Sequence, residues 1–261
     1  MSVRVEVCVE SVAGAIASEQ AGAARVELCS ALILGGLTAS LGCVTTTVQS
    51  IERIGVHVLI RPREGDFVFA PHEIDAMLAD IIAIRRETDR TTTEVGFVLG
   101  ALTSETEIDR TVMSVLIQAA GPYPVSFHRA FDLTPDLDRS LDTLIELGVG
   151  RVLTGGGMQR AADGAPALAR LVTRANGRID VMPGGSIRSH NAAHIIAETH
   201  ARDLHFRAAT TRANHISSYR PGVKMTSSKA PNEAVREETS IDAVREMVSI
   251  ADSLGSPAAA R

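Results

Sequence analysis

Residues Val3 to Leu37 read VRVEVCVESVAGAIASEQAGAARVELCSALILGGL. The opening run, Val3 to Val9, alternates valine with Arg4, Glu6 and Cys8, and Arg25 to Cys29 alternates in the same way. Successive side chains of a strand point to opposite faces. Each run therefore has an apolar face and an opposite face on which Glu is followed two residues later by Cys. Between them, Ser11 to Ala21 is rich in Ala, carries Val12 and Ile16 four apart and stops at Gly22, the pattern of a helix with a glycine terminator. The result is a βα unit followed by a second strand, with the same polar pair presented twice. An apolar core has no use for a repeated Glu-x-Cys, so the repeat is the first clue to a site.

Working outward, the same alternation continues. Gly35-Gly36-Leu37-Thr38 forms a turn before a helical segment to about Arg53, and Val56 to Ile60 is the third strand. Arg61-Pro62-Arg63-Glu64-Gly65-Asp66 is a polar loop whose proline delays the next helix. The periodicity predicts helices over Pro71–Thr88, Glu105–Ala120, Thr134–Leu147, Pro166–Ala175 and Ser189–Glu198, with strands over Glu94–Leu99, Pro124–Phe127, Arg151–Thr154, Ile179–Met182 and Asp203–Phe206. Residues 217 to 239 are polar and aperiodic and read as an exposed loop before a last helix, Ile241–Leu254. About eight βα units without a composition break predict an α/β fold, a closed parallel (β/α)8 TIM barrel, as one domain over residues 1–261. The open doubly wound sheet is the alternative, but no G-x-G-x-x-G follows the first strand.

Composition removes several function classes. The formal net charge is −5 with scattered basic residues, which argues against nucleic acid as a partner. No apolar run is long enough to span a bilayer, and charges in the first residues argue against an export signal, so a cytoplasmic location without membrane attachment is expected. The 3 cysteines include no CxxC pair, which leaves reduced thiols as the expectation. The lysines are Lys224 and Lys229, neither at a strand end, which excludes a Schiff-base aldolase.

In a barrel of this kind, functional side chains sit at the carboxyl ends of the strands. Those positions hold Glu6 and Cys8, Glu27 and Cys29, Arg61, His128 with Asp132 just beyond, and His205. Parity turns Arg61 and His128 inward, while Val58, Ile60, Val125 and Phe127 face the helices. Glu6, Glu27, Arg61, His128, Asp132 and His205 form a set suited to acid/base catalysis on a small anion. Equally, Glu6, Glu27 and Arg61 could be a structural salt-bridged layer. The glycine clusters that contain Gly155 with Gly156 and Gly184 with Gly185, helped by Arg207 or Arg188, could cradle a phosphate or simply turn the chain. Cys8 and Cys29 end adjacent strands and could share a soft metal such as Cu(I), or be buried structural thiols. Cys43, inside a helix, reads as packing.

Several blocks resemble the copper homeostasis protein CutC family: Glu-x-Cys-Val-Glu-Ser from Glu6, Arg25-Val26-Glu27-Leu28-Cys29 with Gly-Gly-Leu-Thr, Ile60-Arg61-Pro62-Arg63, Gly100-Ala101-Leu102-Thr103, Phe127-His128-Arg129-Ala130-Phe131-Asp132 and Met182-Pro183-Gly184-Gly185. The resemblance runs from residue 3 to about 210. It implies a TIM barrel, a homo-oligomer and a link to copper tolerance, with Cys8 and Cys29 as Cu(I) ligands. Two departures touch the expected anion pocket: Ser186 replaces a usual third glycine, and His205-Phe206-Arg207-Ala208 replaces a pattern of small residues. Two functions are therefore expected: a protein that handles Cu(I), or an enzyme acting on a small anionic or phosphorylated substrate.

Overall fold

A computed structural model describes residues 3–215, 223 and 234–255. Strands β1 (Arg4–Val9), β2 (Arg25–Leu28), β3 (Gly55–Leu59), β4 (Val95–Leu99), β5 (Val125–Phe127), β6 (Arg151–Thr154), β7 (Asp180–Pro183) and β8 (Asp203–Phe206) form one parallel sheet in the order β7-β6-β5-β4-β3-β2-β1-β8. The strands at its two ends, β7 and β8, pack side by side and close the barrel. Their seam carries no ladder of hydrogen bonds among the described residues, but Arg4 spans it, 2.8 Å from Asp180 and 2.6 Å from Asp203.

Helices α1 (Val12–Gln20), α2 (Leu41–Ser50), α3 (Pro71–Thr88), α4 (Arg110–Ala120), α5 (Leu137–Glu146), α6 (Ala165–Ala175), α7 (Ser189–Thr199) and α8 (Ile241–Gly255) surround the sheet. Their starts follow local chemistry. Ser11, Ser40, Asp109 and Asp136 each accept a backbone amide of the first turn, satisfying donors that a helix start leaves unpaired. These caps also explain two shifts from expectation. The helix predicted from Glu105 starts at Arg110, because Thr103 to Glu107 close a tight turn with Thr106 at φ 61° and Asp109 then caps. The helix predicted from Thr134 starts at Leu137, after a 3-10 turn over Arg129–Leu133.

The outward strand faces and the inner helix faces form the main core, with Val7, Val26, Val56, Phe97, Phe127, Val152 and Leu204 fully buried. A large correction falls at the end of the loop predicted over 217–239. Strand β10 (Val235–Thr239) pairs antiparallel with β9 (Ala209–Ala213), making a hairpin outside the barrel. The rest of that predicted loop, save residues 223 and 234, lies outside the described residues.

The barrel interior holds a polar layer where branched aliphatic side chains are usual. Arg25 ion-pairs with Glu6 and, at 2.5 Å, with Asp203. Arg151 donates to Ser126 at 3.2 Å, and Ser126 lies 3.5 Å from His57 Nδ1. Glu6, Arg25, His57, Ser126 and Asp203 are all buried. Gly96 makes room for this layer, since a Cβ there would sit 2.8 Å from His57 Nε2. The salt-bridged layer expected from Glu6, Glu27 and Arg61 is thus built with different cations. Arg25 is the partner of Glu6, while Arg61 has no ion pair among the described residues.

Candidate functional site

Above the polar layer, at the carboxyl ends of the strands, a cavity of about 170 Å³ is lined by Cys8, Glu27, Cys29, Leu59, Arg61, Phe67, His128, Leu153 and His205 among others. The parallel register places them there. Cys8 stands beside Glu27, and Glu6 beside His205, so strands β8, β1 and β2 bring an imidazole, two carboxylates and two thiols together.

At one end the Sγ atoms of Cys8 and Cys29 are 3.8 Å apart. Cys8 Sγ, a Glu27 oxygen and a His205 nitrogen all lie within 4.8 Å of one another, and all three residues are buried or nearly so. His205 Nδ1 is 2.8 Å from Glu6 and its Nε2 is 3.5 Å from Glu27. Glu6 is anchored by Arg25 on its other oxygen, so the chain Arg25, Glu6, His205 fixes the ring and leaves Nε2 facing Glu27 and Cys8. This is how carboxylates orient histidines that bind metals.

The electrostatics follow from these contacts. Burial opposes ionisation of Glu6, but the hydrogen bond from His205 and the Arg25 charge outweigh it and hold the carboxyl well below its ordinary pKa. Burial raises the pKa of Glu27, and the Glu6 charge adds to the effect. Burial would lower the pKa of His205, yet its hydrogen bonds to Cys8 and Glu6 and the two carboxylate charges raise it well above 6.5. The hydrogen bond with Cys29, burial and the Glu27 charge hold Cys8 as a thiol.

The donor set suits a soft cation. Two sulfurs bound to one ion at about 2.3 Å each can be no more than about 4.6 Å apart, and 3.8 Å meets that limit without backbone movement. Thiolate and imidazole ligands select Cu(I) or zinc over hard cations.

Arg61 and His128 stand at the other end. Arg61 donates to the carbonyls of Leu34, Gly36 and Gly65 and lies 4.8 Å from the Phe67 ring. His128 packs over Gly100, where a Cβ would come within 2.2 Å of its Cε1, and accepts the Ala130 amide at Nδ1. Burial and the Arg61 charge push its pKa down to about 3, so its imidazole is neutral.

Asp132 stands apart from Cys8, Glu27 and His205 and binds one of the two glycine loops. Its carboxylate accepts from the amides of Gly155 and Gly157, from Thr154 Oγ1 at 2.5 Å and from Arg129 Nε at 2.8 Å. The amide of Gly156 goes to Thr154 Oγ1 and that of Gly184 to the Thr154 carbonyl. The carbonyl of Gly185 accepts from Ala161. The chain's own carboxylate therefore takes up the Gly155 and Gly157 amides of the first glycine loop. Arg207 is likewise engaged, by Glu237 and by Glu10 at 3.4 Å. Ser186 holds φ 54°, the left-handed region that a glycine would occupy without strain.

Arg25, Asp203 and His57 were missed from the sequence as members of the inner network. Period-two parity could have found Arg25, which shares a face with Glu27 and Cys29.

A parallel eight-stranded barrel with thiol, imidazole and carboxylate groups converging at its carboxyl-end mouth defines a TIM-barrel protein with a Cys, His and Glu donor set at that mouth. The family model described as CutC family matches residues 3–210. The copper homeostasis protein cutC homolog of Homo sapiens is 40% identical over 251 residues, 96% of this chain and 89% of that protein. A CutC family protein of Parabacteroides distasonis is 38% identical over 92% of this chain and 97% of its own. Among solved structures, the CutC structure from Streptococcus agalactiae superposes with a TM-score of 0.73 at 33% identity, over 78% of this chain and 97% of that one. Thiamine phosphate pyrophosphorylase from Pyrococcus furiosus shares the fold alone, with a TM-score of 0.57 at 12% identity over 97% of this chain and 98% of that one. The chain belongs to the CutC family of copper homeostasis proteins.

Proposed function

We propose that this protein binds Cu(I) at the barrel mouth, with Cys8 and Cys29 as ligands and His205 and Glu27 completing the site. The observation that carries this reading is the buried pair of sulfurs 3.8 Å apart, with an imidazole and a carboxylate within 4.8 Å of Cys8. Copper is the cargo, and the family's link to copper homeostasis supports that choice over zinc. Cys8 is held as a thiol and His205 keeps its proton until metal arrives, so binding releases protons and strengthens as pH rises.

Proton transfer is the weaker reading of the same pocket. Of the groups it would use, Glu6 is saturated by Arg25 and His205, and Asp132 by the glycine loop. Free thiols support work in a reducing compartment such as the cytoplasm. Exposed Ile33, Leu133 and Met158, on loops that follow β2, β5 and β6, support a homo-oligomer, which sedimentation would test. No helix among the described residues is long and apolar enough to cross a membrane.

Competition with a chromogenic Cu(I) chelator tests the proposal under anaerobic conditions. The parent protein is expected to take one equivalent of Cu(I), and the C8S/C29S variant to lose that competition. Equal affinity in the two proteins would overturn the assignment.

A further inference from the structure

The end of the cavity away from the thiols presents two polar donors with nothing to donate to. Arg61 is 5% exposed, and its guanidinium is fixed by three carbonyls, through Nη1 to Leu34 at 3.3 Å and Gly36 at 3.0 Å and through Nη2 to Gly65 at 2.8 Å. Its Nε is buried without a partner, and no carboxylate among the described residues lies within ion-pair distance. His128 is 6% exposed. Because its Nδ1 accepts the Ala130 amide at 3.2 Å and the ring is neutral, the proton resides on Nε2, which is also buried and unpartnered. Both groups flank one aromatic ring: the Phe67 centroid is 4.8 Å from Arg61 Cζ and 4.8 Å from the His128 centroid.

A buried cation without a counter-charge and a buried donor without an acceptor are both costly, and natural interiors rarely keep either unless something fills the place. We propose that this end of the cavity opens slightly to bind a small organic monocarboxylate, whose carboxylate accepts from Arg61 Nε and His128 Nε2, atoms that water does not reach in this structure, and whose apolar body lies against Leu59, Phe67 and Leu153. The charge count selects one negative charge. Among the described residues of the cavity, Arg61 is the cation without an ion pair, because His128 is neutral, His205 faces Glu6 and Glu27, Arg129 is paired with Asp132, and Arg207 nearby is paired with Glu10 and Glu237. A phosphate dianion would need further donors such as the amides of Gly155, Gly156 and Gly157, and these already have acceptors. The walls are mostly apolar, and the whole cavity of about 170 Å³ far exceeds the roughly 10–15 Å³ that one water needs, which leaves room for a ligand with an apolar body.

The test is calorimetric titration of butyrate, with chloride and inorganic phosphate as contrasts, into the metal-free full-length protein at pH 7. One butyrate is expected to bind per chain, with phosphate and chloride at least tenfold weaker. H128F, which removes the donor but keeps a ring over Gly100, is expected to weaken butyrate about tenfold or more. C8S/C29S is expected to bind butyrate as the parent does, which separates this site from the copper proposal. No butyrate binding, equal binding of phosphate or chloride, or undiminished binding by folded H128F would overturn the proposal. Should H128F fail to fold, the parent protein with nitrogen-15 histidine gives the answer: butyrate must shift the His128 Nε2 resonance, and an unmoved resonance overturns the assignment.

Discussion

Replacing Arg25 by Met tests the inner network that holds the site. Arg25 is the shared cation of Glu6 and Asp203, whose side chains are 1% and 0% exposed. Removing one member of a buried ion pair costs about 3–5 kcal/mol, because the remaining charge keeps its desolvation penalty. Here each carboxylate retains another cation, Glu6 through His205 at 2.8 Å and Asp203 through Arg4 at 2.6 Å. The low end, about 3 kcal/mol, is therefore expected. Methionine replaces much of the lost volume, so little of that loss is a cavity effect. Urea denaturation followed by circular dichroism at pH 7 measures it, and R25M/D203N should recover part of the loss by removing one buried charge that has lost a partner. Glu6 also loses its anchor, so Cu(I) affinity of R25M should fall by about 10- to 100-fold, as it does when a group behind a metal ligand is removed. A loss of stability below about 1 kcal/mol, with Cu(I) affinity unchanged, would refute the network as the support of the site.

Other outcomes follow from single positions. His128 is neutral in the fold with a pKa of about 3, against an ordinary 6.5, so the unfolded chain binds more protons between those values and stability falls as pH drops through that window. From pH 7 to pH 5 its contribution should fall by about 2 kcal/mol, and H128F should lack that component; equal pH slopes would contradict the burial argument. G100A should cost about 1–3 kcal/mol and displace the imidazole, since a Cβ there meets His128 Cε1 at 2.2 Å. D132A orphans the amides of Gly155 and Gly157 and should destabilise by about 2–4 kcal/mol in the same urea assay. S186G relieves a left-handed serine and should be neutral to about 1 kcal/mol stabilising, whereas S186V should destabilise.

The barrel was legible because its strands alternate cleanly and its helices have capping residues and stops where the chain turns. The helix predicted over Pro71–Thr88 has those bounds, and that over Ser11–Ala21 loses only its cap residues. The hairpin of β9 and β10 was not legible. Arg212 and Arg236 both pair with Glu238, and no apolar alternation marks either strand. At the site, parity brought Cys8, Cys29, Glu27, Arg61, His128 and His205 to one cavity. It could not tell which charges cancel. Glu6 looks like a proton carrier in the sequence because its partner, Arg25, sits on another strand, and glycine-rich loops look like open cradles because Asp132 comes from a different turn. Side-chain pairing across the barrel depends on register and shear, which no local pattern encodes.

The most direct test of the copper site is X-ray absorption at the copper edge, on protein loaded with one equivalent of Cu(I) under anaerobic conditions. Two sulfur scatterers with one nitrogen and one oxygen are expected, falling to none of sulfur in C8S/C29S. A first shell of nitrogen and oxygen alone in the parent protein would contradict the assignment of Cys8 and Cys29 as ligands.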